Sequence, residues 1–205
     1  MGLYGKYVLP KVVHFACSLE ATMRQRGKVV PRARGRVLEL GIGTGLNLAF
    51  YDPAKVSKVW GLDPAPEMTR IAKRAAGSLA FEVEFIDASG EDIPLDDRSV
   101  DTVVVTYTLC TIRETTAALR QVSRVLRPGG ELIFCEHGAA PDASVRRWQD
   151  RLNPLWKRLA GGCHLNRPVP AIIEAGGFRI KDLETLYLPG WRPASFNYWG
   201  TAVPR

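Results

Sequence analysis

Residues 37–45 read VLELGIGTG, an apolar run of strand character that passes through Glu39 directly into three alternating glycines, Gly41, Gly43 and Gly45. Glycine tolerates tight turns and lets the backbone approach a ligand lying over a strand's end, so this is a nucleotide-type site. The dinucleotide pattern GxGxxG would place glycine at 46, where this chain has Leu46. The spacing is GxGxG, which weakens a nicotinamide oxidoreductase reading.

Outward from that turn, strands and helices alternate. Strands are expected at Arg36–Leu40, Lys58–Asp63, Ala80–Ile86, Val100–Thr106 and Glu131–Glu136, with helices at Pro66–Ala76 and Glu114–Leu126. Runs such as VDTVVVT and ELIFCE are nearly continuous in apolar content, as strands covered on both faces are. The pattern predicts a doubly wound α/β fold around a mostly parallel sheet. A helix at Ser144–Leu159 and strands near Phe178–Leu186 and Asn197–Val203 follow. Before the sheet, apolar residues from Leu3 to Arg26 recur at helical spacing, with Pro10 as the expected break. With 205 residues, no repeat and no low-complexity linker, one domain is the economical reading. It divides into an N-terminal helical lid (1–35), a ligand-binding half (36–137) and a substrate-side remainder (138–205).

The net charge of +7 is concentrated. Residues 1–36 carry eight basic side chains against Glu20 alone, and the other 20 basic and 20 acidic residues cancel. Such an arm suits nucleic acid, an anionic membrane or a plain solvated face; with no nucleic-acid motif, the solvated face is the expectation, and peripheral membrane contact is not expected. No stretch reaches the ~18–20 apolar residues of a membrane span, and Met1–Pro10 lacks a signal-peptide pattern, which points to the cytoplasm. Cys17, Cys110, Cys135 and Cys163 stand far apart with no CxxC pair, so no metal site is expected and free thiols fit a reducing compartment.

Further pieces fall at matching distances. VWGLD ends in Asp63, placed where a carboxylate accepts both hydroxyls of a ribose. IDASGEDIPL, residues 86–95, is polar and turn-rich, as an adenine site requires, and RSVDTVVVT and RVLRPGGELIF complete the series. Together these segments resemble the class I S-adenosylmethionine-dependent methyltransferases over residues 36–137. The resemblance implies a seven-stranded sheet in the order 3-2-1-4-5-7-6 with an antiparallel last strand, and S-adenosylmethionine as cofactor. It places Glu39, Gly41, Gly43 and Gly45 around the methionine part and Asp63 on the ribose, with Pro64, Met68, Ala88, Ser89, Gly90 and Thr106 completing the contacts. Many members read GDAE where this chain has DASGED, which leaves open whether Asp87, Ser89 or Glu91 meets the adenine. Beyond that half, TYTLCTI, FCEHGAA and LNPLWKRLAGGCHLNR are similar to the methyltransferase-like 7 group of thiol S-methyltransferases and to bacterial relatives labelled phospholipid methyltransferases.

That similarity implies methyl transfer to the sulfur of a small, largely apolar thiol. A thiol of ordinary pKa ~8.5 is only a few per cent ionised at pH 7, so a base would help. His137, just past the fifth strand, is the first candidate, and His164 in GGCHLNR the second. Tyr7, with Tyr4, is a third candidate if the N-terminal helix closes over the cofactor as a lid. His14 reads as packing, and Cys110 and Cys163 as small hydrophobes that need no function. Trp148 and Trp156, on a helix bearing Arg146, Arg147, Arg151, Lys157 and Arg158, read as sheet packing, with an acceptor pocket or a membrane surface as alternatives. Phospholipid N-methylation and a non-catalytic cofactor-binding module are the competing functions.

Overall fold

The computed structural model describes residues 8–77 and 79–205. Its centre is a seven-stranded sheet in the order β3-β2-β1-β4-β5-β7-β6. The strands are β1 (Gly35–Leu40), β2 (Val56–Leu62), β3 (Glu82–Ile86), β4 (Val100–Thr106), β5 (Leu126–His137), β6 (Phe178–Tyr187) and β7 (Phe196–Pro204). β1 to β5 run parallel, and β7 enters antiparallel between β5 and β6, as expected. The helices are α1 (Leu9–Cys17), α2 (Glu20–Val29), α3 (Pro66–Ala76), α4 (Thr115–Val125), α5 (Ala143–Leu159), α6 (Val169–Ala175) and α7 (Arg192–Ser195).

Strand alternation sorts the core into two layers. Val103, Val105, Leu132 and Phe134 pack on one face, under α4 (Leu119, Val122, Val125) and α6 (Val169, Ile173). Their neighbours Val104, Ile133 and Cys135 point to the other, with Val29 of α2 and Ala76 of α3. Successive side chains of a strand face opposite ways, so a continuous apolar run fills both layers at once.

Two details depart from expectation. A helix break that was not anticipated falls at Leu19, whose backbone is extended; the residues ahead of Val8, which the expected break at Pro10 concerns, lie outside the described ones. Pro10 sits in the first turn of α1, where its missing N–H has no intrahelical partner to lose. α6, a short helix between Pro168 and Gly176, was not anticipated: seven residues are too few for a helical period to stand out.

The strand order reverses between β1 and β4, since the chain leaves β1 toward β2 and β3 and returns on the other side through β4 and β5. The carboxyl ends of β1 and β4 therefore part into the crevice where ligands bind in such sheets. α1 lies across that crevice, its Leu9, Pro10, Val13, His14 and Cys17 facing in.

Candidate active site

The crevice holds a cavity of about 450 Å³. Its floor is the turn after β1, where Gly41, Gly43 and Gly45 adopt φ of 76°, 53° and 80°. A Cβ on Gly41 would run into the Thr108 side chain, and one on Gly45 would stand 3.1 Å from the Ala72 backbone, so both require glycine. At Gly43 a Cβ would meet nothing nearer than Met68 at 3.6 Å, with Asp63 and the Gly41 carbonyl oxygen at 4.0 Å, so the space is open. That opening is the cradle into which a cofactor fits.

Asp63 follows β2 and faces this opening. Its Oδ2 accepts the Gly43 N–H at 2.9 Å and its Oδ1 the Ala65 N–H at 2.9 Å. Burial pushes the carboxyl above its ordinary range, and the two N–H groups pull it back. Each oxygen keeps a lone pair for a ribose hydroxyl. Pro64, Met68, Ser89, Gly90 and Thr106 also line the cavity; Ala88 instead packs against the core beneath it. Of the three adenine candidates, Ser89 and Glu91 border the cavity and Asp87 does not.

Glu39 is placed differently from expectation. It is buried behind the floor, accepting from Asn47 Nδ2 at 2.9 Å and from the Tyr51 hydroxyl at 2.8 Å, and does not border the cavity. Burial is the larger effect and raises its pKa to about 7, against the opposing pull of Tyr51, Arg26 and Asn47. Asn47 Oδ1 in turn accepts from Arg26, which also donates to Thr106 Oγ1 at 2.6 Å. Arg26 is only 5% exposed, lines the cavity and keeps Nε without a partner. In the sequence it was one of eight basic residues of a solvated arm; nothing in its spacing marked it as the member turned inward. His14 likewise borders the cavity rather than packing, with Nδ1 2.8 Å from Thr44 Oγ1.

The other sequence candidates gather beside the cavity, not on its wall. His137 and His164 are not among its lining residues. His137 Nε2 lies 3.2 Å from Cys163 Sγ, and His164 Nδ1 lies 3.0 Å from the Cys110 carbonyl oxygen. Cys110 and His137 both act on Cys163 and hold its thiol well below the ordinary cysteine range, against the effect of burial. Tyr4 and Tyr7 lie outside the described residues. Glu136, unremarked in the sequence, is fully buried, and its Oε1 accepts from Thr108 N at 2.7 Å and Leu109 N at 3.0 Å, fixing the turn after β4. Tyr107 in that turn has φ of 54°, a left-handed conformation rare for an aromatic residue, and borders the cavity. Trp156 packs on Trp191 with ring centroids 5.6 Å apart and Trp148 is exposed; neither lines the cavity.

The Methyltransferase domain family matches residues 38–134, from inside β1 to near the end of β5. The human thiol S-methyltransferase TMT1B is 39% identical over 83% of this chain and 72% of its own length. The chain belongs to the S-adenosylmethionine-dependent methyltransferase family. S-adenosylmethionine is the cofactor of that family, and the open cradle at Gly43 beside Asp63 fits it. The methyltransferase also resembles thiol S-methyltransferase TMT1B of Rattus norvegicus, at 40% identity over 79% of this chain; it spans 65% of that relative's length. A solved SAM-dependent methyltransferase from Thermotoga maritima has the same fold, with a TM-score of 0.67 at 20% identity, covering 98% of this chain and 99% of the other. Among the described residues, no helix of the methyltransferase is long and apolar enough to cross a membrane.

Proposed function

We propose that this methyltransferase transfers the methyl group of S-adenosylmethionine to the sulfur of a small, largely apolar thiol. The observation that carries the reading is its 39% identity, over 83% of the chain, to a protein named for that reaction. The cofactor's sulfonium supplies an activated methyl group; the acceptor sulfur gains it, the sulfonium becomes a thioether, and the thiol proton leaves. The chain's own work is alignment, exclusion of water and removal of that proton.

Asp63 holds the ribose, Ser89 and Glu91 flank the adenine, and the Arg26 guanidinium on the cavity wall meets the methionine carboxylate. Leu9, Pro10 and Val13 of α1 form an apolar cover, which favours an apolar acceptor and keeps water out. His14 is the histidine on the cavity wall; Thr44 holds its Nδ1, which leaves Nε2 to receive a proton. It takes the place that the sequence assigned to His137, whose Nε2 is engaged by Cys163.

The test is incubation with labelled S-adenosylmethionine and either a panel of alkyl and aryl thiols or vesicles containing phosphatidylethanolamine. Label in the thioether product is expected. Label in the lipid amine instead would transfer the reading to phospholipid N-methylation, and cofactor binding without label in either would leave a binding module.

A further inference from the structure

Three elements far apart in sequence bring soft donor atoms together beside the cofactor cavity. Cys110 lies in the turn after β4, His137 ends β5, and Cys163 lies in the loop between α5 and α6. Their ligand atoms all lie within 4.8 Å of one another, and His137 Nε2 is 3.2 Å from Cys163 Sγ. Tetrahedral zinc, with Zn–S near 2.3 Å and Zn–N near 2.0–2.1 Å, sets its ligands about 3.5–3.8 Å apart. The His137–Cys163 pair stands near that separation, and the other two pairs, within 4.8 Å, need only a small inward movement to reach it. No CxxC spacing announces the set, because the ligands converge only through the sheet.

A second observation is independent of those distances. Among the described residues, six buried side-chain polar atoms lack a hydrogen-bond partner. Two of the six, His137 Nδ1 and Glu136 Oε2, belong to the cluster's histidine and to its neighbour in sequence, while the Trp156 indole N–H is directed at Cys163. Native proteins leave few such atoms, and their concentration in one place signals water, which the open position of a bound ion would carry. The frame is also rigid. Buried Gln149 of α5 donates to the carbonyls of Gly138, Leu165 and Pro193 and accepts from Ala140 N, tying α5, the α5–α6 loop and α7 to the segment just after β5.

We propose that Cys110, His137 and Cys163 are the three protein ligands of a zinc site. Two thiolates and a neutral imidazole are a donor set that zinc takes readily, whereas magnesium and calcium take oxygen. Three ligands leave a fourth coordination position, the arrangement of an accessible rather than a closed zinc site. The ion pins the α5–α6 loop to the sheet edge, and because Thr111 and Gly161 line the cavity, it braces the wall against which an acceptor lies. The proposal does not depend on which acceptor is methylated.

The full chain is stripped with a chelator under reducing conditions and titrated with zinc, then with cobalt as a spectroscopic probe. One ion per chain is expected, with the charge-transfer absorption of thiolate-bound cobalt and the intense visible bands of tetrahedral geometry. Loss even of an outer partner typically weakens a metal site about 10–100-fold, so Cys163→Ser, Cys110→Ser and His137→Gln should each weaken zinc binding at least about a hundredfold. Circular dichroism establishes that each variant is folded, and the three different substitutions guard against one that is not. Zinc should also raise the melting temperature of the wild type and not that of the variants. The site is overturned if the stripped wild type takes up no stoichiometric zinc, if cobalt shows no thiolate absorption, or if any folded variant binds as tightly as wild type.

Discussion

Asp63 and Glu39 are both carboxylates at strand ends, yet their surroundings give them different work. Asp63 faces the cavity with lone pairs to spare, so Asp63→Ala should lower affinity for S-adenosylhomocysteine roughly ten- to a hundredfold by calorimetry, the loss of a charge-assisted hydrogen bond. Glu39 is held inside, and folding raises its pKa to about 7 from an ordinary 4.5. A carboxyl raised in this way binds its proton more tightly in the folded state. Its favourable contribution is complete below about pH 4.5 and disappears as pH rises through about 7. Glu39→Gln has no proton to lose, so the stability difference between variant and wild type should move in the variant's favour by about 3 kcal/mol across that interval. Urea melts at pH 4.5, 6 and 7.5 measure it; a constant difference would mean that Glu39 keeps its ordinary pKa.

At the scale of elements, the two N-terminal helices separate in role. α1 buries only Pro10 and presents its inner face to the cavity, while α2 buries Thr22, Gln25, Arg26 and Val29 against the sheet. Removing residues 1–18 should leave a cooperative melt within a few degrees of wild type. Turnover should fall at least about tenfold, because the cavity loses its cover and His14. Removing residues 1–29 should abolish the cooperative melt, since it exposes the core and breaks the Arg26–Asn47–Thr106 network. Farther along, Gln149→Leu strands the carbonyls of Gly138, Leu165 and Pro193 and the Ala140 N–H. At about 1–3 kcal/mol for each unpaired group, a loss of about 3 kcal/mol or more is expected in a denaturant melt.

For the whole molecule, both hydrophobic layers rest on the same strands, Val103 and Val105 on one face and Val104 on the other. Neither layer can unpack without exposing the sheet that carries the second, so unfolding should show coincident transitions by fluorescence and circular dichroism. The cofactor cavity is assembled from β1, β2, β4 and α1 and exists only in the folded state. S-adenosylhomocysteine at a hundred times its dissociation constant should therefore add about 2.7 kcal/mol, which for a chain of this size is about 5–10 °C in melting temperature. Asp63→Ala should remove most of that gain at the same ligand concentration.

The strands, the glycine turn and Asp63 were legible in the chain itself, because each rests on local chemistry. A fully covered strand needs an unbroken apolar run, the turn after β1 needs residues that reach positive φ, and a carboxylate that faces the crevice must follow the end of the next strand. The inward turn of Arg26, the satisfaction of Glu39 by Asn47 and Tyr51, and the place of His14 on the cavity wall were not legible. Each depends on which face of a helix or strand meets which neighbour, and composition is the same either way. The meeting of Cys110, His137 and Cys163 is the extreme case. Twenty-six or twenty-seven residues separate each from the next, and only the parallel crossover between β4 and β5 and the return of α5 over the sheet edge bring two thiols and an imidazole within reach of one ion.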